Sequence, residues 1–167
     1  MIRKCMDSDF EVIFEIINNA AQAYRGVIPV ECWHEPYMPR GEIKDEIENG
    51  VCFWGLEEEE VLVGVMGIQD KGDVTLIRHS YVRSNKRNQG IGTRLLRFLE
   101  STTEKPILIG TWADASWAIE FYKKNGYRLL SEEEKNRLLR KYWKIPERQV
   151  VTSVVLANKR WTGPTSH

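Results

Sequence analysis

Apolar positions recur along this chain in two rhythms, one every three or four residues and one in short continuous or alternating runs. The first rhythm predicts helices with a single buried face and the second predicts strands. Residues 2–5 read as a short strand, after which Ser8 and Glu11 have the spacing of a capping box. Phe10, Ile13, Ile17, Ala20 and Tyr24 then line one face of a helix that Gly26 ends. Residues 27–39 hold three prolines together with Trp33 and Tyr37, which predicts an irregular segment that packs down on core or ligand. A helix over 41–49 turns Ile43 and Ile47 inward and stops at Gly50.

Strands are predicted over 51–56 and 61–69, joined by the solvated acidic loop 57–60, and over 74–82 after a turn at 70–73. A helix over 89–102 presents Ile91, Leu95, Phe98 and Leu99. The apolar run 106–112 predicts a strand covered on both faces. Asp114 is a candidate cap for a helix over 115–125, which Gly126 terminates. A short strand over 127–130 precedes a second capping box, Ser131 with Glu134. That box opens a helix carrying Leu138, Leu139, Tyr142 and Trp143, and Pro146 stops it. Residues 149–156, rich in Val and Thr, predict the last strand, and the polar tail from 157 is expected to be loose. The order β-α-α-β-β-β-α-β-α-β-α-β implies an α/β fold with a mixed sheet covered by helices.

Composition narrows the function classes. A chain of 167 residues suits one domain. Lys plus Arg is 24 and Asp plus Glu is 24, so no basic excess points to nucleic acid. No run approaches the ~20 apolar residues of a membrane span, and the N-terminal residues show no secretory h-region. Three cysteines, Cys5, Cys32 and Cys52, without a CxxC spacing argue against a disulfide framework and fit a reducing cytoplasm. Cys32-Trp33-His34-Glu35 matches no zinc spacing, so no metal is expected.

The segment with legible chemistry links the end of the 74–82 strand to a helix start and reads Tyr81-Val82-Arg83-Ser84-Asn85-Lys86-Arg87-Asn88-Gln89-Gly90-Ile91-Gly92-Thr93. Glycines there permit close backbone approach. The first N–H groups of the helix lack intrahelical partners and lie at its positive end, which makes an anion site. Neither the Walker loop nor the full GxGxxG fingerprint is present. Arg87-x-x-Gly90-x-Gly92 resembles the Q/R-x-x-G-x-G/A acyl-CoA signature of the GNAT N-acetyltransferase superfamily. Ala118-Ile119-Glu120-Phe121-Tyr122-Lys123-Lys124-Asn125-Gly126-Tyr127 resembles that family's A-x-x-F-Y-x-x-x-G-F segment. The resemblance runs from about residue 2 to 156 and implies one domain over 1–157, with a tail over 158–167. It departs from the family pattern at Ser84, where Pro is frequent, and at Ala115, where an Asn is frequent.

The resemblance implies a mostly antiparallel sheet of about seven strands and acetyl-CoA as cosubstrate. Val82, Arg87, Asn88, Gly90, Gly92 and Thr93 are the implied cofactor-binding residues. An acceptor amine, of a small molecule in the leading reading, attacks the thioester directly. Tyr122 is the candidate acid for the departing thiolate. Leu76 stands where some relatives place a catalytic Glu, so the base must come from elsewhere. His79 on the same strand has a suitable pKa range. Glu31, His34 and Glu35 lie where the family builds its acceptor site, and Trp33, Tyr37 and Trp112 are either pocket walls or ordinary core aromatics. The alternatives are a non-catalytic acyl-CoA-binding module of the same fold, or an interaction protein whose glycines serve packing only. No nucleic acid or membrane partner is expected. The 149–156 strand and the surface at Tyr142 and Trp143 are candidate homodimer contacts.

Overall fold

The computed structural model describes residues 1–163. Strand β1 (Ile2–Lys4) leads through a 3-10 turn (Asp7–Asp9) into α1 (Phe10–Ala20) and a second 3-10 turn (Ala21–Tyr24). The proline-rich segment then reaches α2 (Arg40–Glu48). Strands β2 (Cys52–Glu58), β3 (Val61–Asp70) and β4 (Thr75–Val82) form an antiparallel meander. Helix α3 (Ile91–Glu100), β5 (Ile107–Trp112), α4 (Ser116–Lys124), β6 (Arg128–Leu129), α5 (Glu132–Tyr142), the short α6 (Glu147–Val151) and β7 (Ser153–Ala157) complete the chain. The sheet has seven strands in the order β1-β2-β3-β4-β5-β7-β6, and only the β4–β5 pair is parallel. The expected mixed, mostly antiparallel sheet flanked by helices is therefore what forms.

Alternating strand residues divide the core between the two faces. Ile77, Ile107 and Ile109 pack with Leu95, Leu96 and Leu99 of α3 and with Ala118 of α4. On the other face, Phe53 and Val65 meet Ile13, Ile16 and Ile17 of α1 and Ile43 of α2. Beside them, Leu76, Leu108 and Val155 meet Leu138 and Leu139 of α5. A space between the α1–α2 pair and α5 is left on that second face.

Several local expectations are corrected. The start of α1 is held not by Ser8 and Glu11 but by Asp9, whose carboxylate accepts from Met6 N–H at 2.7 Å. Asp9 wins because Arg3 grips both its oxygens, at 2.8 and 3.0 Å, while the Arg3 Nε donates to Glu57 at 2.9 Å. Ile47 is exposed, since α2 buries only Ile43. Asp114 caps nothing, as Ala115 is the N-cap of α4 and no side-chain cap is made. Ser131 does accept from Glu134 N–H. Residues 149–151 are helical, because Pro146 O takes the N–H groups of Gln149 and Val150 and Val150 packs under α5. Packing here overrides the β preference of Val.

The tail is not loose through residue 161. Asn158 Oδ1 accepts from Ile107 N–H, Arg160 donates to Thr103 O, and Trp161 donates to Glu134. The two surfaces named for a homodimer contact are used within the chain: β7 is paired on both sides, and Tyr142 and Trp143 are buried.

The Arg3–Asp9–Glu57 cluster joins β1, β2 and the entry to α1. Hydrogen bonding to Arg3 holds the Asp9 carboxyl below its usual range, against the opposing effect of burial. A depressed carboxyl contributes stability above its unfolded pKa and loses it as pH falls through the folded one. Asp9→Asn is expected to cost about 1–3 kcal/mol near neutral pH. The difference from the native chain should shrink once urea titrations are run below about pH 4. A difference that stays constant on acidification would show that the charge on Asp9 is not what anchors α1.

Candidate active site

The site begins where two strands part. Strands β4 and β5 pair only from Thr75–Ile107 to Ile77–Ile109, although each runs on, to Val82 and Trp112. Beyond Ile77 the edges of both strands face a gap. Strand β4 also carries a bulge there: Val65 pairs with Tyr81 and Gly67 with Arg78, so Met66 alone faces both His79 and Ser80. His79 takes the left-handed conformation, with φ +55°. Bulges bend a strand and re-aim its side chains.

On the α3–α4 side of the gap lies a cleft of about 470 Å³. It is lined by Val82, Arg87, Asn88, Gly90, Gly92 and Thr93, the six implied cofactor-binding residues, together with Trp117 and Phe121 of α4. The two glycines of the motif serve different ends. Gly90 is the N-cap of α3 with φ +77°, and a Cβ built on it meets nothing within 4 Å. It lets the loop turn while leaving the cleft open. A Cβ on Gly92 would come within 3.2 Å of the Phe121 ring, so this glycine sets how closely α3 approaches α4. Asn88 is also left-handed, with φ +64°. The first backbone N–H of this helix to find a carbonyl is that of Arg94, which reaches Gly90 O at 3.0 Å. The donors before it face the cleft at the positive end of α3, a cradle suited to a diphosphate. Asn19 of α1 fixes the loop from outside, its Oδ1 accepting from both Ser84 N and Ser84 Oγ at 3.0 Å. This contact holds the loop at the position where Pro is frequent.

Across the gap is a smaller cavity of about 120 Å³. Arg78, His79 and Trp112 line it, with Tyr37 from the proline-rich segment and Trp143 from the end of α5. Tyr24, Ser80, Tyr81 and Tyr122 line both spaces, so they mark where the cleft and the cavity meet. Tyr122 is 7% exposed. Burial raises its pKa, so the phenol is a proton donor at neutral pH. The Trp112 indole donates to Tyr37 Oη at 3.3 Å. Asn18 of α1 pins this wall by pairing with both Met38 N–H and Met38 O.

Not every sequence candidate comes to the gap. Trp33 lies behind the cavity wall, stacked on Tyr37 at 5.5 Å, with its indole N–H buried and without a partner. Glu31 pairs with Arg148, and Glu35 lies 3.9 Å from Arg25 at the exposed rim. His34 is exposed, with Nδ1 against Pro36 O. Leu76 and Ala115 are core residues. Sequence reasoning did not find Tyr24, Ser80, Arg78, Trp117 or Trp143, because helical and strand periodicity assign each of them to packing or solvent. Only the parted strands expose them together. Among the described residues, no group of three or more His, Cys, Asp or Glu could hold a metal ion, and no helix is long and apolar enough to cross a membrane.

Residues 49–129 match the family model for the acetyltransferase (GNAT) domain. Human N-acetyltransferase 8 is 31% identical over 91 residues, a match that covers 48% of this chain and 40% of that protein. The chain therefore spans less than half of that relative. Among solved structures, the PaiA N-acetyltransferase of Thermoplasma acidophilum, in complex with coenzyme A, superposes with a TM-score of 0.72 at 18% identity, over 95% of this chain and 98% of that one. A GNAT-family acetyltransferase of Staphylococcus aureus Mu50 gives 0.70 at 20% identity, over 96% and 99%. At these identities the superpositions speak to the fold.

Gly90→Glu tests the cradle. The new side chain enters open space, and a non-glycine residue at this φ costs about 1–2 kcal/mol, so the fold should persist with its melting temperature lowered by roughly 2–8 °C. A carboxylate now occupies the anion site. Calorimetry is expected to show the affinity for acetyl-CoA falling at least on the order of a hundredfold, roughly 2.7 kcal/mol. Unchanged binding in the folded variant would remove the loop from the cofactor site.

Proposed function

We propose that this chain, whose residues 49–129 form a GNAT acetyltransferase domain, is an acetyl-CoA-dependent N-acetyltransferase acting on a primary amine of a small molecule. The observation that carries this reading is the meeting of the cleft and the cavity at Tyr122 and Ser80 through the β4–β5 gap. A thioester arriving from the cleft and an amine arriving from the cavity are brought together there. The small volume on the acceptor side favours a compact substrate. Three free cysteines suit a reducing compartment, and we place the activity in the cytoplasm.

In this reading the N–H groups at the start of α3 hold the diphosphate, with Arg87 and Lys86 beside them. The β4 edge beyond the bulge offers backbone groups to the pantetheine arm in the manner of an added strand. Acetyl-CoA supplies the activated acyl group. The remaining tasks fall to residues of the chain. Aromatic rings of Tyr37, Tyr81 and Trp112 orient the acceptor and exclude water. A primary amine with pKa near ~10.4 must lose a proton before attack, at a cost of roughly 4–5 kcal/mol at neutral pH, and His79 is the base within the cavity wall. The amine nitrogen bonds to the carbonyl carbon and the C–S bond breaks. Tyr122 donates its phenolic proton to the departing thiolate.

The residues that sequence reasoning offered for the acceptor divide accordingly. Trp112 contacts the acceptor, Trp33 backs the wall, and Glu31, His34 and Glu35 have no part in the chemistry. A non-catalytic acyl-CoA module would keep the cleft and would not need a buried proton donor at the gap. Tyr122→Phe separates the two readings. Turnover of a panel of primary amines with acetyl-CoA should fall about a hundredfold or more, while the dissociation constant for acetyl-CoA stays within a factor of two to three of the native value. Equal turnover by native and variant chains would remove Tyr122 from the reaction. Absence of turnover in the native chain, with acetyl-CoA bound, would favour the module.

A further inference from the structure

Helix α2 brings one carboxylate to the base. Glu46 Oε2 lies 3.3 Å from His79 Nε2 and 3.0 Å from Arg78 Nη1. The same Arg78 nitrogen donates to Gln69 Oε1 at 3.2 Å, and Gln69 in turn donates to Asn49 O at the end of α2. The Glu46 side chain is thus held by two successive residues of β4, and neither it nor the His79 ring is more than about a fifth exposed.

The chemistry of this contact specifies a tautomer. Burial works against charge on Glu46, but its hydrogen bond with His79 and the charge of Arg78 outweigh burial and hold the carboxyl below its usual range. An ionised carboxylate can only accept. The proton of the neutral imidazole must then sit on Nε2, and Nδ1 carries the lone pair. The contact with Glu46 is the one hydrogen bond of the ring. Among the described residues, Nδ1 has no hydrogen-bond partner. His79 itself lines the acceptor cavity.

The backbone adds an independent observation. His79 holds a left-handed φ of +55° inside a bulge. Such a conformation costs a non-glycine residue about 1–3 kcal/mol, and conformations of this kind cluster at functional sites. The strain is borne at a residue whose ring meets the Glu46 carboxylate and lines the cavity.

We propose that Glu46 is the positioning residue of a Glu46–His79 pair, holding the imidazole in its Nε2–H form and presenting Nδ1 as the proton acceptor for the attacking amine. The proposal rests on the N-acetyltransferase reading above. In the step, the amine N–H bond breaks and its proton passes to Nδ1. The N–C bond forms, the C–S pair leaves with sulfur, Tyr122 protonates the thiolate, and the second proton shed by the nitrogen restores the Tyr122 phenol. The imidazolium is stabilised by the Glu46 carboxylate, as the aspartate of a hydrolase triad stabilises its histidine. The charged groups facing the ring are Glu46 from α2 and Arg78 from β4, with Glu42 of α2 acting on both of these. Phe53 of β2 packs on its remaining side. Burial keeps the His79 pKa below the ordinary value, Glu46 opposes that fall and Arg78 adds to it, so the ring is neutral and basic at physiological pH.

Two readouts test the pair. Long-range proton–nitrogen correlation spectra of the native chain, with His79 assigned through His79→Gln, should show the Nε2–H tautomer. In Glu46→Gln the His79 midpoint should move to lower pH. The second readout is acetyl transfer from acetyl-CoA to benzylamine across about pH 5 to 8. The native rate should fall along an acid limb that tracks the His79 midpoint. Glu46→Gln should lower kcat roughly tenfold to a hundredfold and displace that limb to lower pH, leaving KM for acetyl-CoA unchanged. A purely structural Glu46 would lower stability without displacing the limb. An Nδ1–H tautomer, or a limb that Glu46→Gln leaves in place, overturns the proposal. If the native chain binds acetyl-CoA but transfers nothing to benzylamine, the base role falls together with the transferase reading. The tautomer in the native spectrum, which needs no variant to fold, still decides the hydrogen bond on its own.

Discussion

The parting of β4 from β5 is the constraint on which the rest of this structure depends. Parallel pairing stops after Ile77 and Ile109, while both strands continue. Backbone groups that pairing would have consumed are left at an edge inside the protein, where an unpaired edge is a binding site for another extended chain. The separation is sustained from both sides. On one, β5 turns its remaining residues Gly110 to Trp112 toward β7, which pairs with them through Val155, Val154 and Ser153. On the other, the bulge at His79 and Ser80 bends β4 along β3.

Once the gap exists, its contents are fixed by connections of very different length in sequence. Helix α1 does much of this through two neighbouring amides. Asn18 fixes the proline-rich segment at Met38, which sets Tyr37 into the wall of the smaller cavity, and Asn19 fixes the β4–α3 loop at Ser84 beside the cleft. One helix therefore registers both halves of the site. Its own placement rests on Asp9, where Arg3 links the helix entry to Glu57 of β2. Packing supplies the remaining registration: the close approach of Gly92 to Phe121 seats α4 so that the next residue, Tyr122, lines the gap together with Ser80.

Electrostatics inside the gap follow from burial rather than from net charge. The chain is formally neutral, and the acceptor cavity has a single arginine in its wall, already neutralised by Glu46. Burial favours the uncharged forms of both proposed proton carriers: it lowers His79 and raises Tyr122. A base that is free and an acid that is still protonated at the same pH is the combination that acyl transfer to an amine requires.

Most of the scaffold was legible in the sequence. Periodicity located every strand and the five longer helices, and the Arg87–Gly92 spacing located the loop that turns on Gly90 into α3, because a glycine turn at a helix start is a local property. Tyr122 was reachable through its motif. What periodicity misread was local structure fixed from a distance: residues 149–151, whose Val content suggests a strand until Pro146 and α5 are in place, and the tail, which looks loose until Asn158 accepts from Ile107. The acceptor site was largely illegible for the same reason. Glu31, His34 and Glu35 have suitable chemistry but face solvent or an arginine. Glu46, on an exposed-looking helix thirty-three positions from His79, reaches it only because α2 lies across the bulge. The sequence by itself determined the elements and the glycine turn at the start of α3, since these depend on neighbours within a few residues. Only the tertiary structure decided which acids, bases and rings meet, since that depends on where two strands stop pairing and which helices fill the space they leave.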